Sequence, residues 1–149
     1  MTAPIFVDTN ILVYARDVGE PLKQALAFVV LSFLWNTQLG RISYQVLNEY
    51  YVTVTRKFKP GMDRQSAQHD IDDLLAWAPV AQTGKTLHMA WDIESRCQLS
   101  WWDSLIVAAA LEAGCETIYS EDLQHGMKID SLRVLNPLRD DFHLPNLTH

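Results

Sequence analysis

The chain has 149 residues, 48% of them hydrophobic, which is ample for one buried core and places residues 1–149 within the range of a single domain. A formal net charge of −6 excludes a protein that grips nucleic acid through a broad basic surface, because phosphate binding relies on Lys and Arg displacing counterions. No apolar run is long enough to cross a bilayer, residues 1–7 lack the features of a signal peptide, and two cysteines are too few for a disulfide scaffold, so a cytoplasmic protein is expected.

In chain order, Pro4-Ile5-Phe6-Val7 is a short apolar run ending at Asp8-Thr9-Asn10, the pattern of a buried parallel strand that stops at polar residues. Residues 22–39 carry Leu26, Val29, Val30, Phe33 and Leu34 at helical spacing, which predicts a largely buried helix stopped by Gly40. Arg41-Ile42-Ser43 reads as a second strand. Residues 45–57 return to helical periodicity through Val46, Leu47, Tyr50, Tyr51 and Val54.

Pro60-Gly61 breaks the chain, and Asp63 is placed to cap a helix with Ala67, Ile71, Leu74 and Leu75 on one stripe. Pro79-Val80-Ala81 reads as a third, minimal strand. Helices follow over 83–98 and 102–113, the second closed by Gly114; Cys97 and Cys115, beside these apolar patterns, are expected to be buried thiols. Residues 117–120 and 132–135 are two more strands, and the tail over 136–149, with Pro137 and Pro145, is irregular. Strands alternating with helices imply an α/β protein with a mostly parallel sheet covered on both faces. No repeat or linker divides the chain.

In such a sheet, ligands collect beyond the carboxyl ends of the strands. Asp8 ends the first strand, Glu49 lies early in the helix after the second, and Asp122 follows the 117–120 strand by two residues. Asp103 opens a strongly apolar helix. Each has an ordinary structural explanation as a cap, a turn residue, a partner of the helix dipole or a solvated helix position. Their joint placement at strand ends points further. Converging carboxylates about 4 Å apart repel by around 4 kcal/mol at an effective dielectric near 20, so a cluster demands a cation or protonation. All-oxygen donors select hard cations such as Mg²⁺.

The histidines His69, His88, His125, His143 and His149 have neither the i, i+4 pairing nor the Cys companions of a zinc site, and only His125, near Asp122 in sequence, is a candidate for a supporting role. Arg56-Lys57-Phe58-Lys59 is the densest basic stretch. Because basic residues at a helix C-terminus are favoured by the dipole, it is read as a helix end rather than a substrate contact. Trp101 and Trp102 flank Asp103 and are read as packing residues.

With these residues in view, the sequence resembles the PIN-domain family, and more narrowly the VapC-type ribonuclease toxins of toxin–antitoxin pairs. Asp8-Thr9-Asn10 is similar to the family's opening motif, Asn48-Glu49-Tyr50 to the acidic residue of its early helix, Trp102-Asp103-Ser104 to its third motif and Ser120-Glu121-Asp122 to its fourth. The resemblance implies a three-layer α/β/α fold with about five strands, and a catalytic metal site of Asp8, Glu49, Asp103 and Asp122 holding Mg²⁺ or Mn²⁺. Asn10 and Ser120 would orient the acids, and Glu121 competes with Asp122 for the fourth position. It also implies cleavage of single-stranded or looped RNA, a homodimer and a small antitoxin partner, with no membrane association.

Two other function classes compete. A phosphatase using Asp8 as nucleophile is disfavoured because Asp8-Thr9-Asn10 lacks the second aspartate two residues on that haloacid-dehalogenase-like enzymes carry. A non-catalytic PIN-like binding module is disfavoured by the presence of all four acids, and an RNA-processing nuclease that is no toxin would share the same chemistry.

Overall fold

The computed structural model describes residues 2–147; Met1 and His149, both touched on above, lie outside the described residues. Strand β1 (Ile5–Val7) is buried on both faces, as three consecutive apolar residues in a central parallel strand must be. It leads directly into a short helix, α1 (Thr9–Tyr14), whose N-cap is Asp8, the carboxylate accepting from the Thr9 N–H at 2.8 Å. The sequence reading has no helix here. The cap role of Asp8 was readable, but six residues are too few for helical periodicity to show.

Helix α2 (Pro21–Thr37) corrects the expectation of a largely buried element: only Ala27, Val30 and Leu34 are buried, while Leu22, Leu26, Phe28, Val29 and Trp35 face outward. It ends at Gln38, in the left-handed conformation, not at Gly40. Gly40 has a different task. It opens β2 (Gly40–Arg41), where a Cβ would stand 2.8 Å from the ring of Trp77, so the indole packs against bare backbone.

Helix α3 (Tyr44–Val52) is capped by Ser43, whose hydroxyl accepts from the Val46 N–H at 3.2 Å. The helix expected to run to residue 57 instead widens into a π-helical turn over Thr53–Lys57. The Thr55 hydroxyl donates to the Tyr51 carbonyl at 2.6 Å, a side-chain bond to the preceding turn of the kind that bends helices. Helix α4 (Arg64–Leu74) is capped by Asp63 as read, with the Gln65 and Ser66 N–H groups donating to it. Helix α5 (Gly84–Cys97) starts from a Thr83–Thr86 capping box and packs on α6 (Trp101–Glu112). Gly114, at φ 75°, follows the end of α6 as predicted.

The remaining strands are β3 (Thr117–Tyr119), β4 (Lys128–Ile129) and β5 (Leu132–Leu135). The sheet has the order β2-β1-β3-β5-β4, parallel except for β4, and helices cover it in a three-layer α/β/α arrangement. The number of strands agrees with the expectation, but one member differs: Val80 makes only a single bridge to Ser43, and the fifth strand is β4, paired with β5. A two-residue strand carries too little alternation to be read from sequence. Of the two thiols, Cys115 is buried and Cys97 only half-buried. Among the described residues no helix is long and apolar enough to cross a membrane.

The topology itself nominates a site. From β1 the chain goes by way of α2 to β2 on one side, and from β2 by way of α3 to α6 to β3 on the other side of β1. The strand order therefore reverses between β1 and β3, and a crevice opens at such a point beyond the strand ends.

Candidate active site

Beyond the ends of β1 and β3 lies an open cavity of about 640 Å³, and Asp8, Glu49, Asp103 and Asp122 all line it. Residues separated by up to 114 positions in the chain thus share one wall. Asn10 lines it as well, while Ser120 sits behind Asp8.

Asp8 is the most deeply set of the acids, 5% exposed, because the pairing of Val7 with Tyr119 places it beside Ser120. Its Oδ2 accepts from Ser120 Oγ at 2.8 Å and from Asn10 Nδ2 at 3.2 Å, and its Oδ1 from the Thr9 N–H. Burial nevertheless pushes its pKa up to about 6; the bonds from Ser120 and Thr9 oppose the rise, and the nearby charges of Asp122 and Asp103 add to it. Asp103 is also raised, first by burial and then by Asp122, against the Ser100 hydrogen bond. It stands at the third position of α6, whose N-cap Ser100 accepts from the Asp103 N–H at 3.1 Å. The cap and dipole explanations of Asp8 and Asp103 hold together with their place in the cavity, since a helix start aimed at a crevice is where an acid is both capped and exposed to ligand.

Glu49 is steered by neighbours on two elements: Thr9 Oγ1 donates to Oε1 at 2.8 Å and Gln45 Nε2 to Oε2 at 3.4 Å. Gln45 Nε2 also donates to the Trp102 carbonyl at 3.3 Å, tying α3 to the start of α6. Asp122 is carried by a loop pinned at several points. The Asp122 and Leu123 N–H groups donate to Ser120 Oγ, and the Glu121 N–H donates to Asn10 Oδ1 at 3.0 Å.

Glu121 itself is turned elsewhere. Its carboxylate accepts from Tyr14 OH at 2.6 Å and pairs with Lys23 Nζ at 2.9 Å. Burial tends to raise its pKa, but the Lys23 and Tyr14 bonds more than offset this and leave it below the usual range. Of the two neighbours, Asp122 alone lines the cavity. On the reading that these acids form the working site, Asp122→Asn is expected to lower turnover at least tenfold more than Glu121→Gln; equal losses in a steady-state cleavage assay would restore Glu121 as a rival.

Other readings change with the structure. His125 does not line the cavity; its Nδ1 accepts from the Asn136 N–H at 3.0 Å. Trp102, read as a packing residue, is 63% exposed. Thr9, Tyr14, Asp17, Thr53 and Lys57 line the cavity without having been singled out as site residues. Thr9 and Tyr14 belong to the missed α1, Asp17 follows it, and Thr53 and Lys57 belong to the missed π turn.

Among the described residues, no group of three or more His, Cys, Asp or Glu side chains converges tightly enough to hold an ion by itself. The cavity's donors are all oxygen, the chemistry of a hard cation such as Mg²⁺, which binds through one or two carboxylates and keeps water in its remaining positions. The upward displacement of Asp8 comes first from burial, with smaller additions from the charges of Asp122 and Asp103, so a cation beside it would favour the ionised form.

Comparisons with known proteins agree with this fold. A search of curated proteins finds no significant match. Among solved structures, the chain is similar to FitAB bound to an IR36 DNA fragment (TM-score 0.66, 17% identity, covering 97% of this chain and 99% of that one). It is also similar to Mycobacterium tuberculosis VapC20, described as a toxin that cleaves the sarcin-ricin loop (TM-score 0.58, 20% identity, 79% of this chain and 89% of that one). A third similar structure is VapBC2 from Rickettsia felis bound to a promoter DNA fragment (TM-score 0.58, 17% identity, 89% of this chain and 97% of that one). The family model of the PIN domain matches residues 5–126, from the first residue of β1 to just past the loop that carries Asp122, and the chain therefore belongs to the PIN-domain family.

Proposed function

We propose that the protein is a metal-dependent endoribonuclease that cuts single-stranded or looped RNA, with Asp8, Glu49, Asp103 and Asp122 as its metal-binding and catalytic acids and Mg²⁺ or Mn²⁺ as the cofactor. The observation that carries this reading is the gathering of the four acids around one crevice at the β1/β3 switch point. A dication held there supplies, when bound, stabilisation of negative charge on a phosphate and acidification of water. The protein's own part is positional. Ser120, Asn10 and the Thr9 N–H fix the Asp8 carboxylate, Thr9 and Gln45 fix Glu49, and Ser120 fixes the backbone of Asp122. The Ser120 and Thr9 donors stabilise the ionised form of Asp8, the form that binds a cation.

The role proposed is that of a toxin restrained by a small antitoxin, in the cytoplasm, as a homodimer. The similarity to VapC20, itself described as an RNA-loop-cleaving toxin, supports the first part. The outward apolar side chains of α2 support association.

The test is cleavage of a fluorescently labelled single-stranded RNA by the purified chain with Mn²⁺ or Mg²⁺, with EDTA as control and Asp103→Asn as the variant. Cleavage that needs the dication and falls by two orders of magnitude or more in the variant is expected. Undiminished cleavage in EDTA, or by Asp103→Asn, would overturn the reading.

A further inference from the structure

We propose that Lys57 is a substrate-binding residue whose ammonium group engages a backbone phosphate of the RNA beside the acidic cavity. The proposal rests on the ribonuclease reading above. In a chain with formal net charge −6, the cavity wall carries five carboxylates, Asp8, Asp17, Glu49, Asp103 and Asp122, and Lys57 is the one basic side chain among its lining residues. A polyanion approaching that wall is repelled except where a cation offsets the field.

Lys57 is also free to act. Lys23, Arg16, Arg96 and Arg139 are each committed to a carboxylate, whereas Lys57 is exposed and has no ion pair among the described residues. Lys57 lines the wall, yet none of the wall's carboxylates is within ion-pair distance of it.

The backbone puts it there. Had α3 continued regularly past Val52, each further residue would have advanced around the helix by the usual step. Instead the chain widens, with the Phe58 N–H bonded to the Thr53 carbonyl at 3.2 Å, and Glu49, Thr53 and Lys57 all line the cavity at intervals of four. The wide turn is held from the following segment, where the Met62 N–H donates to the Val54 carbonyl at 2.7 Å. Gly61 packs so close that a Cβ would stand 2.3 Å from the Thr55 carbonyl oxygen. A lysine serving only the helix dipole would need no such redirection, and Arg56 beside it already serves the dipole.

The experiment measures kcat and KM on a single-stranded RNA oligonucleotide at several NaCl concentrations for wild type, Lys57→Ala, Lys57→Gln and Lys57→Arg. In parallel, fluorescence anisotropy follows binding of the same oligonucleotide, unmodified or carrying one methylphosphonate, to the Asp8→Asn protein with and without the Lys57 changes. We expect Lys57→Ala and Lys57→Gln to raise KM about tenfold with kcat within about twofold, and Lys57→Arg to restore most of the loss. The slope of log(kcat/KM) against log salt should become shallower by about 0.7, the contribution of one phosphate on a single strand. One methylphosphonate position should weaken binding of the Lys57 protein and leave the Lys57→Ala protein unaffected. If wild type cleaves RNA but the salt slope and KM do not move in either neutral variant, Lys57 is a helix-end residue only and the proposal falls while the nuclease reading stands. Lys57-dependent RNA binding without any cleavage by wild type would sink the nuclease reading alone, and absence of RNA binding would sink both.

Discussion

Replacing Asp8 by Asn is expected to abolish RNA cleavage, by three orders of magnitude or on the order of 4 kcal/mol of transition-state stabilisation, while raising the stability of the metal-free protein at neutral pH. The two effects have one origin. Burial among other acids moves the Asp8 carboxyl from its ordinary 3.8 to about 6, so ionising it costs the folded state on the order of 3 kcal/mol at pH 7. Asn carries no charge and avoids that cost, but it forfeits one or two of the hydrogen bonds from Thr9, Ser120 and Asn10, each worth about 1 kcal/mol. A net gain of about 1–2 kcal/mol remains.

The pH dependence has a definite sign. Between about pH 4 and pH 6 the folded protein holds a proton on Asp8 that the unfolded chain has released, so this group's contribution to stability falls as pH rises through that window and then levels off. The advantage of Asp8→Asn should accordingly be complete near pH 7, vanish near about pH 5 and turn near about pH 4 into a net loss set by the missing hydrogen bonds. Added Mn²⁺ should reverse the order, stabilising wild type and leaving the variant unchanged, because only an ionised carboxylate gains from the ion. Thermal melts of both proteins in EDTA and in Mn²⁺ at pH 4, 5, 6 and 7 would show it. A variant less stable than wild type in EDTA at pH 7 contradicts the electrostatic account, and full cleavage activity contradicts the assignment of Asp8.

Ser120→Ala is expected to produce the second largest effect, a loss of roughly 10–100-fold in activity joined to about 2–3 kcal/mol of stability at neutral pH. Ser120 is fully buried, and its one hydroxyl donates to Asp8 while accepting from the Asp122 and Leu123 N–H groups. Alanine leaves two backbone donors without that acceptor and removes the strongest influence opposing protonation of Asp8. The Asp8 carboxyl should then titrate still higher, so the acid limb of the activity profile should move toward neutral pH and the deficit should be greater at pH 6 than at pH 8. A deficit of equal size at both values would mean that Ser120 acts by packing alone.

Much of the architecture was readable one segment at a time. Three apolar residues with no polar alternation mark β1 as a central parallel strand, the stripe behind Asp63 marks α4, and Gly114 marks the end of α6, because each signal lies within a few residues of its consequence. Asp8, Asp103 and Asp122 were legible for the same reason, standing at or just past a strand end or in the first turn of a helix, while Glu49 lies within α3. Failures came where two local signals competed or a distant partner decided. Asp8 ends a strand and caps a helix at once, and the cap was readable while the six-residue helix behind it was not. Gly40 looked like a helix stop because nothing in the sequence announces that Trp77 packs against it.

What the sequence determined by itself, then, is the kind of residues available and the order of the elements: an acidic chain of alternating strands and helices with carboxylates at the strand ends. Tertiary structure decided which carboxylate is which. The strand register beside Ser120 buries Asp8, the Tyr14 and Lys23 contacts draw Glu121 away while Asp122 lines the cavity, and the π turn brings Lys57 to the same wall. These choices depend on desolvation and on bonds between residues as many as 112 positions apart, and such quantities are set by three-dimensional neighbours rather than by any local run of residues.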